Sequence, residues 1–432
     1  MKNKIAETIE ELDFNDVDNL IYSAVFSSNE EVRKKAKESI YLKGLQHNIT
    51  PSSIQNIYEA MGRGDIGGIT VPAVNIRGLT YYAARAIFRS AKKNNVGLII
   101  FEIARSEIGY TYQRPSEYAA NITAAALKEG FHFPVFLQGD HFQINKKNFE
   151  KNPAGEINAV KDLIKESIDA GFFNIDIDAS TMVDYSKKSL QEQQKENFTL
   201  TAMLTDYIRQ LQPDGIIISV GGEIGHIGGK NSTVEEFEAF MEGYLKNLNS
   251  QKGISKISVQ TGTAHGGIPL KDGTLAQVKL DFNVLNSIGS IAQKKYGLSG
   301  AVQHGASTLP LELFDKFPES YTSEIHLATG FQNLMYEMAP DWLKNEIYNY
   351  LQEKCKEEWK HDMTYEQFIY KTRKKGFGPF KKQWWSLPED IKNAIMDELS
   401  KTFDIMFEKL RVNNSIQFLT KYINPINVNL KF

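Results

Sequence analysis

Eight short apolar runs, each followed by a polar or amphipathic stretch, occupy the middle of this 432-residue chain and constrain its fold more than any other feature. They read ITVPAVNI from Ile69, VGLIIFEIA from Val96, PVFLQGD from Pro134, FFNIDIDAS from Phe172, DGIIISVGGE from Asp214, ISKISVQTG from Ile254, LSGAVQH from Leu298 and YTSEIHLAT from Tyr321. Helix-patterned segments such as YYAARAIFRSAKK and AVKDLIKESIDA lie between most of them. Strand–helix alternation of this kind implies a parallel sheet with right-handed crossovers, and eight rounds imply an α/β fold closed into a (β/α)8 TIM barrel. An open doubly wound sheet is the alternative, but the Gly-rich turn expected after its first strand is missing.

The barrel is expected over residues 68–338, between a helical N-terminal extension (1–67) and a helical C-terminal extension (339–432). Ser28 and Asn29, followed by two glutamates, can cap a helix in the first extension, and Thr50-Pro51-Ser52 resembles another helix start. Ser386 and Pro388 suit a helix entry in the second. The string RKKGFGPFKKQWWSLP interleaves basic and aromatic residues, a pattern that can bind single-stranded nucleic acid. A net charge of −3 favours the plainer expectation, an arm packed on the barrel or on a neighbouring subunit, with neither nucleic acid nor an anionic membrane as partner. Cys355 is the only cysteine, which excludes an intramolecular disulfide and any cysteine-rich metal site. The start, MKNKIAETIEELDF, lacks the apolar core of a secretion signal, and no stretch approaches the ~20 apolar residues of a membrane span, so a cytoplasmic protein is expected.

The chemistry concentrates where the runs end. Barrel enzymes work at the carboxyl ends of their strands, and here those ends carry Asp140 and His141, Asp176 and Asp178, Glu223, His265, His304, and Glu324 with His326. A histidine taken singly is more often a hydrogen-bonded core residue than a ligand. His141, His265 and His304 each stand beside small residues at a strand end, and three imidazoles so placed make an open zinc site with a position left for water or substrate. His47, His132 and His361 read as structural, and His226 stays ambiguous. Asp140 suits proton transfer or the orientation of an imidazole, and its adjacency to His141 argues against both serving one ion easily. Asp178 and Glu223 can support a ligand or offer a second, deeper metal position. The small, hydroxyl-rich turns Gly305-Ala306-Ser307-Thr308 and Ala328-Thr329-Gly330 can cradle a phosphate, with Lys271 and Lys279 as sources of positive charge.

The order of these motifs resembles the class II, metal-dependent fructose-bisphosphate aldolases and their tagatose-bisphosphate relatives, from about Val71 to Met338. The matching strings are Asp140-His141, Ile177-Asp178-Ala179-Ser180, Gly222-Glu223-Ile224-Gly225, Thr263 to Gly266, Lys279-Leu280-Asp281-Phe282 and His304-Gly305-Ala306-Ser307. The resemblance implies a lyase of carbohydrate metabolism, glycolysis included, that reversibly cleaves a phosphorylated ketose to dihydroxyacetone phosphate and an aldehyde. It implies one catalytic zinc ion on His141, His265 and His304, with room for a second divalent or monovalent ion at Asp178 and Glu223. Asp140 would shuttle the hydroxyl proton, Glu223 and His326 would complete the catalytic set, and Gly266, Lys271, Gly305, Ser307 and Thr329 would hold the phosphorylated sugar. A homo-oligomer, dimer or tetramer, is the expected assembly.

Three positions depart from the family pattern. His326 stands where family members carry an asparagine that contacts the enediolate. The loop that supplies their mobile proton-abstracting glutamate reads Gly228-Gly229-Lys230-Asn231-Ser232, with Glu235 and Glu236 the nearest acids. Gly267-Ile268-Pro269-Leu270-Lys271 replaces the usual Tyr-Lys after His-Gly. A metal-dependent hydrolase on the same barrel, or a non-catalytic sugar-phosphate-binding relative, are the competing expectations.

Overall fold

The computed structural model describes residues 5–225, 230–262, 270 and 280–432. All eight apolar runs are strands: β1 (Val71–Asn75), β2 (Ile100–Ala104), β3 (Phe136–Gln143), β4 (Asn174–Asp178), β5 (Ser219–Glu223), β6 (Lys256–Val259), β7 (Ala301–Gln303) and β8 (Thr322–Leu327). Each pairs in parallel with the next, and β8 pairs with β1, which closes the barrel. The crossovers are helical; those at Thr80–Lys93, Pro115–Glu129 and Phe282–Tyr296 bury an apolar face against the strands.

Because side chains alternate along a strand, every second residue enters the barrel. Val71, Ala73, Ile100 and Phe136 fill the amino-terminal end together with Ile57, Tyr58 and Met61 of the helix Gln55–Gly62. That helix begins five residues after the expected Thr50 start. Pro51 instead forms a bridge to Val135, and the Asn174 carboxamide of β4 accepts from the Ile54 amide at 2.8 Å, fixing the helix entry. The other expected cap is present: the Asn29 side chain accepts from the Glu31 amide at the start of Glu30–Gln46.

Higher in the barrel the inward positions turn polar: Glu102, Gln138, Asp140, Asp176, Asp178, Glu223, Lys256, His304, Glu324 and His326 are all buried or nearly so. Buried charge is costly unless paired, so this layer is a network of bonds rather than a packed apolar core. Gly221 is required there, because a Cβ would stand 2.3 Å from Asp176 Oδ1.

One apolar core runs from the N-terminal helices around the barrel into the C-terminal segment. The basic–aromatic arm is part of it. Trp385 meets Tyr22 edge-on at 5.1 Å, and Trp384 packs on Tyr336 and Phe377 with ring centroids 5.2 Å away in each case. The aromatic residues of that string are thereby spent on packing. Trp384 is 1% exposed, so Trp384→Ala should lower unfolding stability by about 3–5 kcal/mol in denaturant titration. A loss under 1 kcal/mol would show that the arm is not anchored there.

Candidate active site

Consecutive strand residues point to opposite faces, yet Asp140 and His141 both reach the barrel mouth. The cause is a β-bulge. Gly139 and Phe142 of β3 stand opposite Ile175 and Ile177 of β4, so β3 carries one extra residue there. His141 takes it up with φ of 40°, a left-handed conformation that a non-glycine residue adopts only when its surroundings impose it. Gly139 makes room: a Cβ would lie 2.4 Å from the Phe142 ring folded beneath the bulge. Adjacency in sequence is therefore no obstacle to a shared ion, contrary to expectation. One ligand atom each from Asp140, His141 and His304 lies within 4.8 Å of the others.

The imidazoles form a row. His141 and His304 have ring centroids 4.2 Å apart, and His304 and His326 are 4.1 Å apart. Their orientations are set from outside the row. His141 Nδ1 stands 3.0 Å from Asp178 Oδ2 and 3.2 Å from Glu223 Oε2. His304 Nε2 is 3.0 Å from Ser258 Oγ of β6. His326 Nε2 is 2.7 Å from Glu324, and its Nδ1 lies 3.1 Å from Glu102 and 3.2 Å from Asp140. A carboxylate behind an imidazole, fixing its tautomer and basicity, is the usual support of a histidine metal ligand.

The electrostatics follow from packing several carboxylates together. Burial pushes Glu223 up to about 7, helped by the Asp178 charge and opposed by His141. Burial and the Asp140 charge push Glu102 to about 7 against the pull of His326. Asp178 stays below its usual range although burial works the other way, because His141, Ser180 and Gln143 all bond to it. Burial lowers the basicity of His141 and His326, but the surrounding carboxylates outweigh it and hold both well above 6.5.

A cavity of about 670 Å³ opens over this row. Asp140, His141, His304 and His326 line it, as do Gly305, Ser307 and Thr329 of the two hydroxyl-rich turns. The turns are joined: the Gly330 amide donates to Ser307 Oγ at 3.1 Å, at the start of the helix Thr329–Met338. An anion seated there would face that helix's N-terminus. Asp178 and Glu223 lie behind His141 rather than on the cavity wall, and Asp176 and Glu324 sit deeper still, not at the mouth as their strand-end positions suggested. His265, Gly266, Lys271, Lys279 and His226 lie outside the described residues, as do Gly228 and Gly229 of the Gly228–Ser232 loop. Of the two acids nearest that loop, Glu236 pairs with Lys230 at 2.6 Å and caps its own helix with Thr233.

A family model for class II fructose-bisphosphate aldolases matches residues 55–375. The chain belongs to that family. Class II aldolases are lyases, and this member is one in which the family match crosses both expected domain boundaries. Among solved structures the chain resembles a fructose-bisphosphate aldolase from Campylobacter jejuni, at 20% identity and TM-score 0.50, over 86% of this chain and 99% of that one. It also resembles the YdjI aldolase from Escherichia coli K12, at 12% identity and TM-score 0.51, over 84% and 99%. These likenesses are likenesses of fold. No curated protein sequence matches the chain.

The aldolase cavity also holds residues that the sequence did not single out. Arg77, just past β1, pairs with Glu107 at 2.7 Å and donates to Gln332 at 3.0 Å and to Thr329 Oγ1 at 3.4 Å, which puts a guanidinium beside the anion-type turn. Lys374 enters from the C-terminal arm and stands over the Tyr110 ring at 5.6 Å, its basicity lowered by burial and by the Arg77 charge. Glu102 belongs to the wall as well. Because the fold raises Glu102 from 4.5 to about 7, the folded state holds its proton more tightly than the unfolded one, and stability falls as pH rises through that window. Glu102→Gln should therefore gain thermal stability relative to the parent between pH 5 and pH 8. Melting curves that shift in parallel across this range would contradict the assignment.

Proposed function

We propose that this protein is a zinc-dependent class II aldolase that reversibly cleaves a phosphorylated ketose, fructose 1,6-bisphosphate or a related ketose phosphate, to dihydroxyacetone phosphate and an aldehyde. The observation that carries the reading is the meeting of Asp140, His141 and His304 at the wall of one cavity that also holds the Gly305–Ser307 and Thr329 turns. Two imidazole nitrogen donors beside a carboxylate suit zinc, and the Asp178 and Glu223 acceptors behind His141 suit the imidazole of a ligand. We assign the ion to His141 and His304 with His265, leaving Asp178 and Glu223 as ligands of a second ion or as supports of His141. Bound zinc would supply Lewis acidity at the substrate carbonyl, making a Schiff-base lysine unnecessary.

The remaining work falls to side chains. Gly305, Ser307 and Thr329 hold the phosphate through backbone N–H and hydroxyl groups, with Arg77 and Lys374 supplying charge and Gly266 and Lys271 completing the grip. Asp140 takes the proton from the hydroxyl whose carbon–carbon bond breaks, and returns it in the condensation direction. His326 stands on the other side of Asp140 in the place of the family asparagine and turns its Nδ1 toward the Asp140 carboxylate that handles the proton. Lys256 is not the amine of an alternative covalent route: it is buried below the cavity and its ammonium is held charged by Asp176 and Glu324. A barrel over 68–338 with helical extensions, a cytoplasmic location, homo-oligomeric assembly and a role in sugar-phosphate metabolism complete the proposal.

The test is turnover of zinc-loaded protein on a panel of ketose mono- and bisphosphates. At least one should be cleaved, and chelation should abolish the activity. Asp140→Ala should keep its metal and lose cleavage by about 10²–10⁴-fold. Turnover that survives chelation, or an Asp140→Ala variant at parental rate, would reject the mechanism.

A further inference from the structure

Beneath the cavity lies a buried cluster that the chemistry above does not use. At its centre is Glu324 of β8. Its Oε1 accepts from Lys256 Nζ at 2.5 Å, from Gln138 Nε2 at 2.9 Å and faces His326 Nε2 at 2.7 Å. Its Oε2 accepts from the Tyr58 hydroxyl. Lys256 makes two further contacts, with Asp176 at 2.9 Å and with Gln138 Oε1 at 2.8 Å. Tyr58, Gln138, Lys256, Asp176 and Glu324 are all buried.

Such a layer is expensive, since apolar side chains fill the interior of most barrels at no desolvation cost. Its geometry runs in one direction, from the amino-terminal plug to the mouth. Tyr58 belongs to Gln55–Gly62, before the first strand, and its hydroxyl holds one carboxylate oxygen of Glu324 while Lys256 and Gln138 hold the other. With both oxygens held, the carboxylate cannot rotate. An imidazole has one free rotation about its ring axis once its Cβ is packed, and a fixed acceptor on Nε2 removes it. The ring is then turned so that Nδ1 faces Asp140 at 3.2 Å, with its centroid 4.1 Å from that of His304.

We propose that Tyr58 and Lys256 are positioning residues of the site: by locking the Glu324 carboxylate they fix the rotation of the His326 ring and so its aim at Asp140. The helix before the barrel thereby acts on the chemistry through three side chains, without touching the cavity. The kinetic consequence rests on the aldolase reading; the geometric one does not.

The test compares Tyr58→Phe with Tyr244→Phe in the full-length, zinc-loaded protein. Tyr244 is equally buried, and its hydroxyl donates to Thr205 at 3.2 Å between two outer helices. Both variants lose one buried hydroxyl. Tyr58→Phe should keep its zinc content and its KM within about twofold while kcat falls on the order of tenfold, as a slightly misdirected group produces. The imidazole nitrogen resonances of His326, assigned through His326→Gln, should move in Tyr58→Phe and stay in place in Tyr244→Phe. Lys256→Gln should reproduce both effects. Equal kinetic losses in the two tyrosine variants, or His326 resonances indifferent to Tyr58→Phe, would overturn the proposal. If no ketose phosphate is turned over at all, the aldolase reading fails, and the resonances alone still decide whether Tyr58 orients His326.

Discussion

One extra residue in β3 is the constraint on which the site depends. A regular strand would send Asp140 into the barrel and His141 out among the helices, leaving His304 facing a lone carboxylate. The bulge between Gly139 and Phe142 turns both inward, and the left-handed backbone of His141 is what it costs. The missing Cβ at Gly139 and the Phe142 ring beneath it make that geometry possible. From there the row follows by contact, with His304 on His141 and His326 on His304.

The second consequence is electrostatic. Asp140, Asp178 and Glu223 gather around His141, while Glu102 and Glu324 join Asp140 around His326. Lys256 compensates the lower part of this layer by pairing with Asp176 and Glu324. Burial first, and the neighbouring carboxylate charges of Asp140 and Asp178 second, raise Glu102 and Glu223 to about 7.

Much of this was legible in the sequence, and for physical reasons. Each of the eight apolar runs is a strand, because a parallel sheet covered on its outer face needs continuous apolar residues. The His141 and His304 strings stand at the mouth because β3 and β7 end there. What the sequence hides is register and distance. Glu102 sits inside an apolar run, and only its parity with Ile100 and Ala104 turns it inward. Asp176 and Glu324 were expected with the other strand-end acids, yet they lie one layer deeper, because their strands continue past them. Lys374 reaches the cavity from the C-terminal arm, by way of aromatic packing around Trp384 that no local pattern announces. The bulge is the clearest case: nothing in Gly-Asp-His states that its last two residues share a face.

The central claim is that side chains distant in sequence meet on one zinc ion at the top of the barrel. X-ray absorption at the zinc edge of the metal-loaded protein measures this directly. Nitrogen and oxygen neighbours are expected at about 2.0–2.1 Å, with the outer-shell scattering of more than one imidazole, diminished when His304 is replaced by alanine. A zinc shell made of oxygen donors alone, or one indifferent to the loss of His304, would contradict it.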